Sequence, residues 1–369
     1  MQEITVLLNL GLFAGGLAIL VYGSEHLIQA ATRLAKTFGV SDLLIGLTIV
    51  AIGTSLPEIV SSLTALAAGK ADLAFANVAG SSLTNLTLVV GLSALAAPLA
   101  TNHIVLDRDT KIMTLSFILL AIMVFDPLTP GIITWWEGGI LLVLMIAYLS
   151  FLHWGREECD TCYQFSIFVD FFIRLRFITS LRGRAPLPRT SRAAQGGSVV
   201  SSERESEGEP SRIGRQQASD LVIILIAALG VTVGAQWVVS GAEFISLNFG
   251  IAESVIGFTL IALGTSLPEL TVSLNSARHG FGRLLIGNVV GSNIINITMG
   301  LGFANMFFPA ATANLFLAAV LLLLMLGIAP VFYWIIRKDW RVTRREGFVL
   351  TFLYFTVLAV LVWASESVF

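Results

Sequence analysis

The sequence predicts an all-α integral membrane protein of ten transmembrane helices, arranged as two inverted five-helix repeats. Three observations predict it: an apolar composition, a long internal repeat, and a one-sided placement of Lys and Arg. Of 369 residues, 56% are hydrophobic and only 12% charged, and the mean hydropathy is +0.85. Soluble domains carry roughly 25% charged residues, so this chain suits a bilayer. No basic run interleaved with aromatics occurs, so nucleic-acid binding has no support. Two cysteines cannot make a disulfide framework.

Apolar runs long enough to span fall near 5–29, 40–68, 73–99, 112–126 and 132–153, with 112–126 short. A second set falls near 219–241, 251–277, 284–309, 313–336 and 347–364. The first run lacks the positive start and small-residue cleavage site of a signal peptide, so it reads as the first span. With the N-terminus outside, the cytoplasmic loops hold Arg33, Lys36, Arg108, Lys111, Arg278 and Arg283. They also hold the basic central segment and the cluster Arg337, Lys338, Arg341, Arg344 and Arg345, leaving only Lys70 outside. Cytoplasmic loops concentrate Lys and Arg, which fixes this orientation and puts both termini outside.

The repeat matches residues 46–91 to residues 257–302 without a gap, at a shift of roughly 211 and with about 20 identities in about 46 positions. The identities are mostly Gly, Pro, Thr, Ser, Asn and one Glu in each copy. Upstream, residues 23–46 match residues 234–257. Five spans per half is an odd number, so the second copy enters from the opposite face. Inverted repeats of this kind build many secondary transporters, with the substrate site at the repeat interface. A simple channel has no need of the inversion.

The expected division is 1–154 for the first half, 155–218 for a cytoplasmic loop and 219–369 for the second half. Residues 165–178 are apolar but too short to span, and they contain Asp170, Arg174 and Arg176. An interfacial helix is expected there. From Thr179 to Asp220 the chain is rich in Arg, Ser, Glu, Gly and Pro, the composition of a flexible linker. Cys159 and Cys162 form a CxxC without a second pair to complete a zinc site, so reduced loop thiols are expected.

Each repeat carries GTSLPE: Gly53–Glu58 in the first copy and Gly264–Glu269 in the second. Proline lacks an N–H and clashes with the preceding turn, so each span should kink there. Carbonyls near residues 51–54 and 262–265 are then expected to lose helical partners and to line a hydrated cavity. Glu58 shares a helical face with Thr54 and Ser55, as Glu269 does with Thr265 and Ser266. No Lys or Arg lies mid-span to neutralise either carboxylate, so a bound cation is the economical counter-charge.

The following spans add oxygen. Asn77, Ser81 and Asn85 recur on one face, and Asn288, Ser292 and Asn296 repeat them. Two carboxylates with hydroxyl, amide and backbone oxygens can supply the six to eight hard ligands that Ca²⁺ takes. Thiolate and imidazole are absent from the spans' middles, which argues against zinc or copper. His26, His103, His153 and His279 fall near span ends or loops. Ser62 and Ser273 read equally as packing or site residues, and Glu25, whose counterpart is Gln236, as a funnel charge or a solvated one. No Ser-His or paired-Asp constellation suggests a hydrolase.

These motifs resemble the α-repeats of the cation/calcium exchanger superfamily, and within it the prokaryotic sodium/calcium antiporter branch. The resemblance covers both halves and excludes the central loop. It implies a secondary antiporter exchanging Ca²⁺ for Na⁺ by alternating access in a bacterial inner membrane. No cofactor, nucleic acid or obligate protein partner is implied. It further implies that Glu58 and Glu269 are shared ligands. Thr54, Ser55, Ser81, Asn85, Thr265, Ser266, Ser292 and Asn296 would complete the sites, with backbone carbonyls of Ala51 and Ala262. The first and sixth spans would slide across a four-helix core.

Three departures stand out. Ser82 replaces the Asn found at Asn293 in the second copy. Asn85 and Asn296 are both amides where many relatives put Asp at the latter, which weakens a case for potassium co-transport. Gly80 and Gly291 stand where the proton-coupled branch usually has Glu, favouring Na⁺ over H⁺ as the coupling ion. A Ca²⁺/H⁺ antiporter is the alternative, since the same carboxylates could carry protons.

Overall fold

The computed structural model describes residues 2–38, 41–101, 108–154, 165–181, 210–248, 264–309 and 314–366. Cys159, Cys162, Ala262 and most of the linker lie outside these residues. Among the described residues, six helices are long and apolar enough to cross a bilayer, or seven if one bent pair counts as a span.

The first half opens with α1 (Gln2–Phe38). A broken span follows: α2 (Asp42–Ile45), a π-helical turn (Gly46–Val50), α3 (Ala51–Thr54) and α4 (Leu56–Ala67). Its two limbs meet at 46°. Next come α5 (Ala71–Thr84), a second π segment (Asn85–Val89) and α6 (Val90–Ala96), then strand β1 (Leu99–Ala100). The half closes with α7 (Thr110–Val124) and α8 (Trp135–Trp154).

Two short helices follow, α9 (Phe165–Ile173) and α10 (Arg176–Leu181), turning at Leu175 with φ 52°. Phe168 and Phe171 are buried on α8, where the Phe151 ring meets both at 5.4 Å. Arg174 bonds Asp170 at 2.6 Å, and Ile173 and Leu175 are exposed. This segment thus rests one apolar face on the protein and turns another outward.

The second half begins with α11 (Pro210–Asn248), which starts inside the stretch that composition assigns to flexible linker. A helix already nucleated by an apolar span extends at little cost through Arg, Gln and Ala, and Pro is tolerated in its first turn. Then come α12 (Leu267–Arg278), α13 (Gly282–Ile295), a π segment (Asn296–Phe303) and α14 (Ala304–Phe307). The chain finishes with α15 (Leu315–Asp339), strand β2 (Arg341–Val342) and α16 (Arg344–Glu366).

Close glycine contacts fix how the halves meet. Gly23 abuts Val231 while Gly234 abuts the Gly16 carbonyl, so α1 and α11 run antiparallel. A Cβ on Gly287 or Gly291 would lie 2.6 or 2.7 Å from the carbonyls of Leu43 or Leu47. Contacts that advance together along both chains make α13 parallel to the α2–α3 limb. The turn at Gly69 (φ 74°) instead folds α5 back antiparallel to α4. Thus α5 and α13, matched by the repeat, point in opposite directions: the repeats are inverted. Small residues permit such approaches, and they seat the polar faces of α4, α5, α12 and α13 in the interior.

Candidate functional site

The site is built where two spans break. Pro57 has no N–H to give Gly53, and Pro268 none to give Gly264. Each helix restarts after a serine in the same conformation, Ser55 at φ −83°, ψ 2° and Ser266 at φ −88°, ψ 3°. The Ala51 carbonyl keeps its helical bond from Ser55 N at 3.0 Å, so the proline disturbs the ladder later than the sequence suggested. Thr54 Oγ1 also lies 3.5 Å from this carbonyl.

Ser-x-x-Glu is the pattern of a capping box, in which the serine would satisfy its own helix. Neither serine caps its helix. Instead Ser55 Oγ crosses to the other repeat and donates to Glu269 Oε1 at 3.2 Å. Ser266 Oγ crosses the opposite way, donating to Ser81 Oγ at 3.0 Å. Ser81 in turn donates to Glu58 Oε1 at 3.1 Å and accepts from Asn296 Nδ2 at 3.3 Å. One hydroxyl therefore uses its proton and both lone pairs to bridge the repeats.

Glu58 and Glu269 are fully buried, each in the first turn of α4 or α12, where the helix N-terminus favours negative charge. Thr265 flanks Glu58, and the two carboxyl groups lie near enough to feel each other's charge. Thr54 and Ser292 flank Glu269. Thr54 Oγ1 also donates to Asn288 Oδ1 at 3.2 Å. Asn77 Nδ2 holds the Glu58 carbonyl at 3.2 Å and Ser62 Oγ at 3.0 Å, giving Ser62 a scaffold role.

Within the described residues, several buried oxygens have no hydrogen-bond partner: Glu58 Oε2, Glu269 Oε2, Asn85 Oδ1, Ser292 Oγ and Asn296 Oδ1. Burying such groups unpaired costs roughly 1–3 kcal/mol each, more for a carboxylate. All are hard donors, suited to Na⁺ or Ca²⁺. No group of three or more His, Cys, Asp or Glu occurs among the described residues, so any cation here depends on two carboxylates plus neutral oxygens.

The structure thus brings together Glu58, Glu269, Thr54, Ser55, Ser81, Thr265, Ser266, Ser292 and Asn296. Asn85 is buried where its π segment begins, as Asn296 is in the other repeat. The expected ligand Ala262 lies outside the described residues. His26 and His279 are exposed and each bonds a helix carbonyl, and Glu25 accepts from Gln29 at 3.3 Å.

Two features escaped the sequence reading. Thr134 and Thr343 each donate through N and Oγ1 to a glutamate three residues on, Glu137 or Glu346, at 2.6–2.9 Å. Their T-x-x-E pattern was the available signal, displaced slightly from the repeat's main register. Asn275 Nδ2 also reaches Ser24 Oγ at 2.5 Å, a contact between spans that local sequence does not announce.

The sequence pattern described as "Sodium/calcium exchanger protein" matches residues 8–154 and 219–363. Sodium/calcium exchanger MaX1 of Methanosarcina acetivorans is 34% identical over 346 residues, covering 94% of this chain and 96% of that protein. Inner membrane protein YrbG of Escherichia coli is 31% identical over 363 residues, covering 98% of each. A solved structure of the sodium-calcium exchanger NCX_Mj, soaked with Na⁺ and zero Ca²⁺, superposes with TM-score 0.71 at 30% identity. It covers 96% of this chain and 99% of that one. By the extent of these matches, the chain belongs to the sodium/calcium exchanger protein family.

Proposed function

We propose that this protein exchanges Ca²⁺ for Na⁺ across a membrane by alternating access, with Glu58 and Glu269 as shared ligands. The observation that carries the reading is the pair of buried carboxyl groups from opposite repeats, tied through Ser81 and Ser266. Two carboxylates bring about two negative charges, which one Ca²⁺ neutralises with six to eight oxygens. Several Na⁺ ions spread over the neighbouring oxygens neutralise the pair equally well.

Thr54, Ser55, Ser81, Asn85, Thr265, Ser266, Ser292 and Asn296 complete the two ion environments, with the carbonyls of Ala51 and Ala262. Moving the bare carboxylates through a low-dielectric barrier costs several kcal/mol, so the empty carrier rarely switches and the fluxes stay coupled. If net charge moves in each cycle, the membrane potential contributes about 2.3 kcal/mol per charge per 100 mV.

In this reading ten spans divide as 1–154 and 219–369, joined by a cytoplasmic segment 155–218, with both termini outside. The helices α1 and α11 slide over the core of α4, α5, α12 and α13. The placement of Lys and Arg supports the orientation. The test is calcium uptake into everted vesicles driven by an imposed sodium gradient with pH clamped. Uptake is expected; uptake driven only by a proton gradient would assign the carboxylates to Ca²⁺/H⁺ exchange instead.

A further inference from the structure

The repeat matches α12 to α4, yet their surroundings differ. On the α12 side, Leu27, Ile28, Ala31 and Leu34 of α1 join Val272 and Leu284 in a dry apolar cluster. At its edge the Asn275 amide donates to Ser24 Oγ at 2.5 Å, while Ser24 donates to the Val21 carbonyl at 2.9 Å. Ser24 is fully buried.

The residues matched to Ser24, Val272, Asn275 and Leu284 are Ala235, Ser61, Thr64 and Leu73. Ala235 has no hydroxyl, and Thr64 turns back to the Val60 carbonyl at 2.8 Å. Leu284 is fully buried, whereas Leu73 is 43% exposed and Val60 57%. Among the described residues, the bond that ties α1 to α12 thus has no counterpart at Ala235 and Thr64.

The α1–α11 pair is packed closely, Gly23 against Val231 and Gly234 against the Gly16 carbonyl, and an ion pair adds to that seam. Arg33 Nε and its terminal nitrogen both reach Asp220 Oδ1, at 2.9 and 2.8 Å. The matched residues, Phe244 and Asn9, cannot form an ion pair. Whatever holds α1 on α12 therefore also holds α11.

We propose that Ser24 and Asn275 are positioning residues, a latch that keeps the α1–α11 pair over α12 and biases the protein toward the conformation open along α4. The inference rests on the alternating-access reading. In the orientation proposed above, the latch favours the outward-open state. A single part-buried neutral hydrogen bond shifts a two-state balance by about two- to tenfold.

Hydrogen–deuterium exchange of the full chain in nanodiscs, without calcium, tests it. Ser24→Ala is expected to raise exchange at 272–278 and to lower it at 61–67. Asn275→Thr, which copies the other half, should do the same and serves if Ser24→Ala folds poorly. Installing the latch opposite, with Ala235→Ser and Thr64→Asn, should reverse both changes. Protection that stays fixed, or that moves in the same direction in both helices, would overturn the latch. Sodium-driven calcium uptake by the wild type is measured alongside, so a failed exchange reading shows separately from a failed latch.

Discussion

At Thr134 and at Thr343 the chain starts a helix in the same way, with the threonine N and Oγ1 both donating to a glutamate three residues later. Gly138 then packs against Gly302, and Gly347 against Gly91, so even the next contact is shared. Between threonine and glutamate, however, stand Trp135 and Trp136 in the first half and Arg344 and Arg345 in the second. Trp135 is 63% exposed. Tryptophan favours the membrane interface and arginine the cytoplasmic side. The backbone instruction is duplicated, while in the orientation proposed above the side of the membrane is written by two residues that the fold leaves exposed.

The site divides likewise. Ser55 and Ser266 have the same backbone conformation, but Ser81 bridges three polar partners while its twin Ser292 has no hydrogen-bond partner among the described residues. Local structure repeats; hydrogen-bonding duty does not. The largest test of that equivalence is at the carboxylates. Glu58→Gln and Glu269→Gln should each lower calcium uptake by proteoliposomes more than about 100-fold, because each removes half the anionic charge facing a divalent cation. Near-normal uptake by either variant would show that the two halves do not share one ion.

The serines sharpen the comparison at smaller scale. Ser81→Ala leaves the Ser266 hydroxyl and the Asn296 amide without that acceptor and Glu58 without a donor, which should destabilise the protein by about 1–3 kcal/mol. Thermal unfolding in ion-free detergent reads this directly. Ser292→Ala should barely move that unfolding temperature, yet it should weaken calcium binding measured by titration. Equal destabilisation by both substitutions would mean that the asymmetry plays no part in holding the repeats together.

Much of this was legible because polar residues in an apolar span have few roles. GTSLPE twice, each followed by Asn, Ser and Asn at helical spacing, points to one buried site, and Glu58 and Glu269 do come together. The breaks at Pro57 and Pro268 were equally plain. Illegible was which partner each serine chooses: Ser-x-x-Glu encodes a local capping box, and only packing of the second repeat redirects Ser55 to Glu269. The extension of α11 back to Pro210 escaped a composition argument because cooperativity with a long span carries a weak sequence along. Ser24 and Asn275 are 251 positions apart, so no window of sequence pairs them.

The capping threonines give the smallest effect and the cleanest contrast. Loss of an N-terminal cap typically costs about 1 kcal/mol. Thr134→Ala and Thr343→Ala should therefore each lower unfolding stability by that amount, and by equal amounts, if the device acts through backbone groups alone. The flanking pairs should not alter the result, since Trp135, Trp136, Arg344 and Arg345 take no part in the bonds to Glu137 and Glu346. Exchanging the pairs, Trp for Arg at both places, should leave the caps intact and instead lower the fraction of chains inserted in one orientation, read by protease access to residues 182–209. A cap whose loss costs clearly more in one half would show that the flanking residues feed back on the helix start, and that address and fold are not written separately.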